Sequence, residues 1–359
     1  MIYLGVLAAL FIVSLAVNRS SVFRLQIYYL TIAILFIFSA FRYEVGCDWL
    51  SYYVEYQVAE GLNWSSIPAL RQPIWWAILR GMHELGWPYL LANVISSAAF
   101  YVGVHILARR QPDPLGFLVL LFPILIINMP MSGIRQGAAI GLICIAFVFF
   151  MDRRPILFGL WVILAAGFHT SALIFLLLLP FVTKSYSRRR ILAGAFLALP
   201  GAYSLALTGT AGQAISIYVG TDIQSSGAAF RVGLLTLTAL YFLGFLRRNW
   251  RAGWPKDYPI ASLGSIAMIV VTILLPLSSV IADRLAYYLV PIQAMIISRM
   301  PFVRPQGGLK IGVWFPYAVL FLVLSVWTQT SLHFQECYSP YKSWIIGLPS
   351  FDVYGFSRP

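Results

Sequence analysis

Residues 115–151 read LGFLVLLFPILIINMPMSGIRQGAAIGLICIAFVFFM, with a single charge, Arg135, near the middle. Two apolar runs, Leu115–Pro130 and Gly137–Met151, flank the turn Ser132-Gly133-Ile134-Arg135-Gln136. Each run approaches the length a helix needs to cross the roughly 30 Å hydrocarbon core of a bilayer. Neither has the polar face that a water-exposed helix requires. A charge near the bilayer interior costs about 2.5–3.5 kcal/mol even on lenient insertion scales, so Arg135 asks for an anionic partner.

The rest of the chain has the same character. Of 359 residues, 60% are hydrophobic and only 10% charged, with a mean hydropathy of +0.82. This composition implies an all-α, polytopic membrane protein and excludes a soluble domain. The net charge of +13 does not point to nucleic acid, because most basic residues sit in short loops between apolar runs. There they set orientation and meet anionic headgroups of membrane lipids. The N-terminal run has no basic leader and no small-residue cleavage site, so it reads as a retained span. Three cysteines form no metal or redox motif.

The basic clusters are Arg19/Arg24, Arg109-Arg110, Arg153-Arg154, Lys184 with Arg188–Arg190, Arg247-Arg248/Arg251/Lys256, and Arg299/Arg304/Lys310. Placing all of them in the cytoplasm predicts about twelve crossings with both termini outside. The expected spans are 2–17, 24–41, 87–108, 115–131, 135–151, 156–168, 170–183, 191–208, 231–247, 259–276, 285–299 and 311–328. Between Arg154 and Lys184 lie only 29 residues, with Gly167-Phe168-His169-Thr170-Ser171 at their centre. Two short helices meeting at His169, or a re-entrant hairpin, would fit that length, and non-helical backbone at that depth survives only beside a cavity or inside protein. A cavity open to the outer side is therefore expected.

The chain reads as a single multispanning domain, 1–359, with no repeat. Its outer elements include the loop 42–86 and the C-terminal tail 329–359. Ile74, Ile78 and Met82 recur at helical spacing beside Trp75 and Trp76, predicting an interfacial amphipathic helix with Arg80 and Glu84 on its polar side. In the tail, Tyr338-Ser339-Pro340-Tyr341-Lys342 reads as a docked lid whose Lys342 reaches toward a phosphate.

The topology brings Arg42, Asp48, Arg135, His169, Asp283 and Arg284 to one side of the membrane. Arg42, Asp48, Tyr52 and Tyr53 suit a sugar and phosphate site, the alternative being an aromatic interfacial anchor. Arg135, with Gln136, meets either a pyrophosphate or a carboxylate such as Asp48 or Asp283. His169 is a general base, a phosphate contact or a packing residue. Arg284, Tyr287 and Tyr288 share one helical face; Asp283 beside them serves as a base or in an ion pair. Asp222 and Arg231 repeat the motif more weakly. Cys47 and Cys337 both fall outside, where a disulfide between them is possible.

Taken in order, these segments resemble the EpsG-like branch of the Wzy-type bacterial polysaccharide polymerases. The matching pieces are Arg42…Gly46-x-Asp48…Tyr52, Gly133-x-Arg135-Gln136, Phe168-His169-Thr170-Ser171-Ala172, Arg284-x2-Tyr287-Tyr288 and Tyr338…Tyr341-Lys342. Trp49 departs from the pattern, standing where tyrosine is usual. The resemblance implies an inner-membrane glycosyltransferase that joins oligosaccharide units, carried on undecaprenyl pyrophosphate, into O-antigen or exopolysaccharide at the periplasmic face. It also implies a flippase and a chain-length regulator as partners. Arg135 and Arg284, then Arg42, would meet the pyrophosphate; Asp48 and His169 compete for the base, with Asp283 third. No acidic DxD cluster appears, so a reaction without metal or other cofactor is expected.

Rival readings are a GT-C type glycosyltransferase using a lipid monophosphate donor, an O-antigen ligase, a lipid-linked oligosaccharide transporter, and an intramembrane protease. Ligases usually carry a larger late loop, and transporters often show pseudo-symmetric halves that are not visible here. Arg135 beside Ser132 suits phosphate better than proteolysis.

Overall fold

The computed structural model describes residues 2–17, 22–183, 227–306 and 311–346, with isolated positions 189, 192 and 196. In chain order the main helices are α1 (Ile2–Ala16), α2 (Val22–Ala40), α3 (Trp49–Ala59), α4 (Pro73–Glu84), α5 (Leu90–Ala108), α6 (Pro114–Ile126), α7 (Ile134–Met151) and α8 (Pro155–Phe168). A 3-10 helix, Thr170–Phe181, follows; then come α9 (Ala228–Gly253), α10 (Tyr258–Leu274), α11 (Ser279–Arg299), α12 (Phe315–Thr330) and α13 (Leu332–Tyr338). Among the described residues the only β-type contact is an isolated bridge between Arg42 and Ser343.

Five helices are long and apolar enough to cross a membrane: α2, α5, α7, α9 and α11, the last continuing to Phe302. Helices α12 and α13 make a sixth when taken as one span bent by 84°. The other expected spans fall on shorter apolar helices (α1, α6, α8, the 3-10 helix and α10), except 191–208, which lies outside the described residues.

Local sequence explains where these helices begin and break. Proline opens α4, α6 and α8, where its missing N–H would be unpaired anyway. Asp113 caps α6, accepting from the Gly116 N–H at 2.9 Å. Pro123 removes a helical donor, and α6 widens into a π turn over Phe122–Ile126. Ser278 caps α11 through the Ile281 N–H at 3.3 Å. The helix therefore starts earlier than expected and carries Asp283 and Arg284 on its second turn, not in a preceding loop.

Helix α7 is the axis of the bundle, with 83% of its apolar window buried. Gly103 of α5 and Gly141 of α7 lie against each other's helix with no room for a Cβ, so the two backbones pack directly. Arg135, at the start of α7, is 24% exposed and otherwise covered by protein.

One end of the bundle is tied by ion pairs. Arg24 grips Asp113 through hydrogen bonds of 2.9 and 2.7 Å, Arg110 pairs with Asp152 at 2.8 Å, and Arg299 pairs with Asp257. Arg299 also donates to Gln111 at 2.8 Å. The basic loops 109–110, 153–154 and 247–256 belong to this end.

At the other end the tail returns to the first loop. Tyr43 N–H donates to Lys342 O (3.0 Å), Gly46 N–H to Cys337 O (2.7 Å) and Trp344 N–H to Phe41 O (3.0 Å). Cys47 and Cys337 form a disulfide with their Cα atoms 4.8 Å apart. Lys342 does not reach inward; it is spent on Glu44 at 2.7 Å near the surface. Helix α4 is amphipathic, and Arg80 pairs with Glu84 at 3.2 Å on its polar side. Its apolar face enters the protein: Trp75, Leu79 and Met82 are buried, and Ile74 meets Gly167 of α8.

Candidate functional site

A polar chamber of about 670 Å³ lies at the end of the bundle closed by the tail. Its wall combines the 47–52 segment, the turn before α4, residues 128–136, the break between α8 and the 3-10 helix, the start of α9, the first turns of α11, and the bend between α12 and α13. Of the residues singled out in the sequence, Asp48, Tyr52, Arg135, Gln136, His169, Asp283, Arg284 and Tyr287 line it.

Glycine makes the first part of this wall. Gly46 adopts φ +102°, and a Cβ there would overlap the Met131 carbonyl. Only glycine lets the 42–48 loop lie this close to the 128–136 turn. That approach sets Asp48 beside Ser132, whose Oγ is 3.5 Å from Oδ2. Asp48 is otherwise exposed to the chamber.

Four arginines, Arg71, Arg135, Arg231 and Arg284, face two aspartates, Asp48 and Asp283, so the lining is net positive. They differ in how far they are engaged. Arg231 donates to both oxygens of Asp283, at 2.6 and 2.7 Å, and lies 5.1 Å from the Tyr287 ring centre. Arg135 Nη1 is 3.2 Å from Glu55 and its guanidinium lies 5.1 Å from the Tyr52 ring centre, while its buried Nε has no hydrogen-bond partner among the described residues. Glu55 is itself held by the Trp75 indole N–H at 2.8 Å. The Arg284 guanidinium makes no hydrogen bond or ion pair with another described residue. Gln136 fixes the backbone beneath it, donating to the Arg284 carbonyl at 2.6 Å.

His169 ends α8 in extended backbone (φ −151°, ψ 112°) and starts the 3-10 helix. The short-helix hairpin expected around it is present. Its Nδ1 lies 2.5 Å from Ser171 Oγ, which lies 3.1 Å from the Tyr288 hydroxyl. With Nδ1 engaged, Nε2 is the nitrogen left to the chamber. Burial pushes the phenols of Tyr52 and Tyr338 up to about 12, so both remain hydrogen-bond donors at neutral pH.

Three expected site residues are placed elsewhere. Arg42 is fully buried behind the wall, donating to Ser39 O (2.8 Å), Val45 O (3.0 Å) and Asn93 Oδ1 (2.9 Å), so it shapes the loop that presents Asp48. Tyr53 stacks on Trp49 at 5.8 Å in an aromatic cluster outside the chamber. Tyr288 stands behind His169 as the end of its hydrogen-bond relay. Asp283 is committed to Arg231, which leaves it poorly placed to take a proton. Of the weaker pair Asp222 and Arg231, Arg231 lines the chamber and Asp222 lies outside the described residues.

Sequence reasoning missed Arg71, Asn128, Trp327 and His333. Arg71 carried a signal, being another cation in an outer loop. Cys47, His333 and Cys337 place their ligand atoms within 4.8 Å of one another, but the two sulfurs are bonded to each other.

The model of the EpsG family matches residues 25–343, nearly the whole described chain, and the protein belongs to that family. No curated protein and no solved structure matched it.

Proposed function

Starting from EpsG family membership, we propose that this protein is a polysaccharide polymerase acting in the chamber on oligosaccharide units carried by undecaprenyl pyrophosphate. The acceptor hydroxyl oxygen attacks the donor's anomeric carbon. The bond from that carbon to the pyrophosphate oxygen breaks, its electron pair leaves with the pyrophosphate, and the hydroxyl proton passes to a base. Asp48 and His169 line the chamber and can take it. Arg284 and Arg135, with Arg71 and the Arg231–Asp283 pair around them, meet the charge that grows on the leaving group. Tyr52 and Tyr287, whose rings lie against Arg135 and Arg231, hold those guanidiniums in the chamber wall. The resemblance adds a flippase and a chain-length regulator as partners.

The observation that carries this reading is the meeting in one chamber of an arginine, Arg284, and a carboxylate, Asp48, neither of which forms an ion pair with another described residue. The basic loops at the opposite end and a disulfide at the chamber rim both support a periplasmic site in the inner membrane. Purified protein incubated with one lipid-linked repeat unit should give a ladder on a gel and release the pyrophosphate carrier. Arg284→Ala should lose the ladder while inserting normally. A single added sugar would favour the GT-C reading, and substrate crossing liposomes without a covalent product would favour a transporter.

A further inference from the structure

The polar chamber continues into an apolar groove. A second cavity of about 590 Å³ runs between α9 and α12, and Asn128, Arg231, Trp327 and His333 line both spaces. Away from that junction its walls are apolar: Phe230 on α9, Val323 and Val326 on α12, and Pro123 and Ile124 at the π turn of α6. A third cavity of about 180 Å³ follows it along the same helices, lined by Leu234, Val319 and Leu120 among others. Leu234 is one turn from Phe230, Val319 one turn from Val323, and Leu120 one turn from Ile124, so every wall continues from one space to the next. From Phe230 to Tyr241, which lines the far cavity, α9 rises about 16 Å, more than half the roughly 30 Å hydrocarbon core.

We propose that this groove holds the isoprenoid tail of the lipid carrier whose pyrophosphate occupies the chamber, an inference that rests on the polymerase reading. The continuity argues for that occupant. A molecule with a doubly charged head and a long unbranched-in-outline apolar tail must leave an arginine-lined chamber by an apolar path, and this groove starts at one of those arginines. Arg231 lies at the junction of head and tail. Phe230 and Leu332 at the rim are 66% and 72% exposed, offering apolar surface where a tail would enter from the bilayer. A phospholipid would fit the walls but brings a single phosphodiester charge to the chamber's cations, half that of the carrier's pyrophosphate.

The test uses the full-length protein in nanodiscs and a long-chain isoprenyl pyrophosphate carrying a photoreactive group near the tail terminus. Crosslinks are expected on residues 230–241 and 315–327, competed by unlabelled undecaprenyl pyrophosphate and not by added phospholipid. Val323→Trp, which fills the groove, should raise KM for the long-tailed substrate about tenfold or more while leaving KM for a two-isoprene analogue unchanged. Crosslinks elsewhere, or crosslinks competed equally by phospholipid, would overturn the proposal. Polymer formation separates the two readings: a ladder with crosslinks elsewhere removes only the groove. Crosslinks in the groove without any ladder remove only the polymerase.

Discussion

Arg231 and Asp283, 52 residues apart in the chain, meet through two hydrogen bonds of 2.6 and 2.7 Å that join α9 to α11. A guanidinium held on both carboxylate oxygens keeps its position but gives up part of its charge to its partner. The pair therefore positions the chamber wall, and breaking it leaves a mostly buried charge without its partner. A double-mutant cycle on Arg231→Gln and Asp283→Asn should give a coupling of about 0.5–3 kcal/mol in detergent unfolding. Additive effects would show that the two residues act separately.

Glu55 does the same for Arg135 more loosely, at 3.2 Å, while it holds Trp75. Glu55→Gln keeps the acceptor for the indole but removes the charge. It should leave expression intact and lower the polymerisation rate about tenfold or more, with Arg135→Ala lower still. An unchanged rate in Glu55→Gln would mean that Arg135 is placed by Tyr52 alone.

The base is identifiable by magnitude. General-base catalysis contributes about 10²–10⁴-fold, so whichever of Asp48→Asn and His169→Gln falls by that amount names the residue. If it is His169, Ser171→Ala and Tyr288→Phe should give intermediate losses, because they leave the imidazole but free its orientation. Full activity in both relay variants would assign the proton to Asp48.

Gly46→Ala forces a side chain into left-handed backbone and against the Met131 carbonyl. The strain alone is about 1–3 kcal/mol, before the steric overlap. The variant should melt at a lower temperature and lose activity even where folded, since Asp48 moves with the loop. Wild-type turnover in this variant would rule out the close approach of the two segments.

Alkaline stability follows the buried phenols. Tyr52 and Tyr338 hold their protons up to about 12, against about 10 in an unfolded chain. Folding therefore favours the neutral phenol: the stabilisation is whole below pH 10 and is lost as pH rises from about 10 through 12. Melting temperatures measured across pH 9–12 should fall, and Tyr52→Phe should flatten the slope.

Much of the site was legible because charge is scarce in this chain. Asp48, Arg135, His169 and Arg284 stood out against apolar neighbours, and the short distance from Arg154 to Lys184 required a break near His169. Arg42 carried the same signal and proved structural, because an arginine satisfied by carbonyls looks no different in sequence from one awaiting a phosphate. The commitment of Asp283 to Arg231 and the meeting of Cys47 with Cys337 depend on contacts between distant segments, which helical periodicity does not encode. Helix α4 shows a related limit. Its amphipathic pattern was plain, but lipid and protein interiors make the same demand on an apolar face.

The docking of residues 337–344 onto residues 41–47 also sets an order of assembly. The segments that close the chamber over the first loop, from Trp327 to Tyr338, are made long after it: Cys337 follows Cys47 by 290 residues. The enclosed chamber thus cannot exist before Tyr338 has been made. Until then the polar wall of the first loop has nothing to close over it.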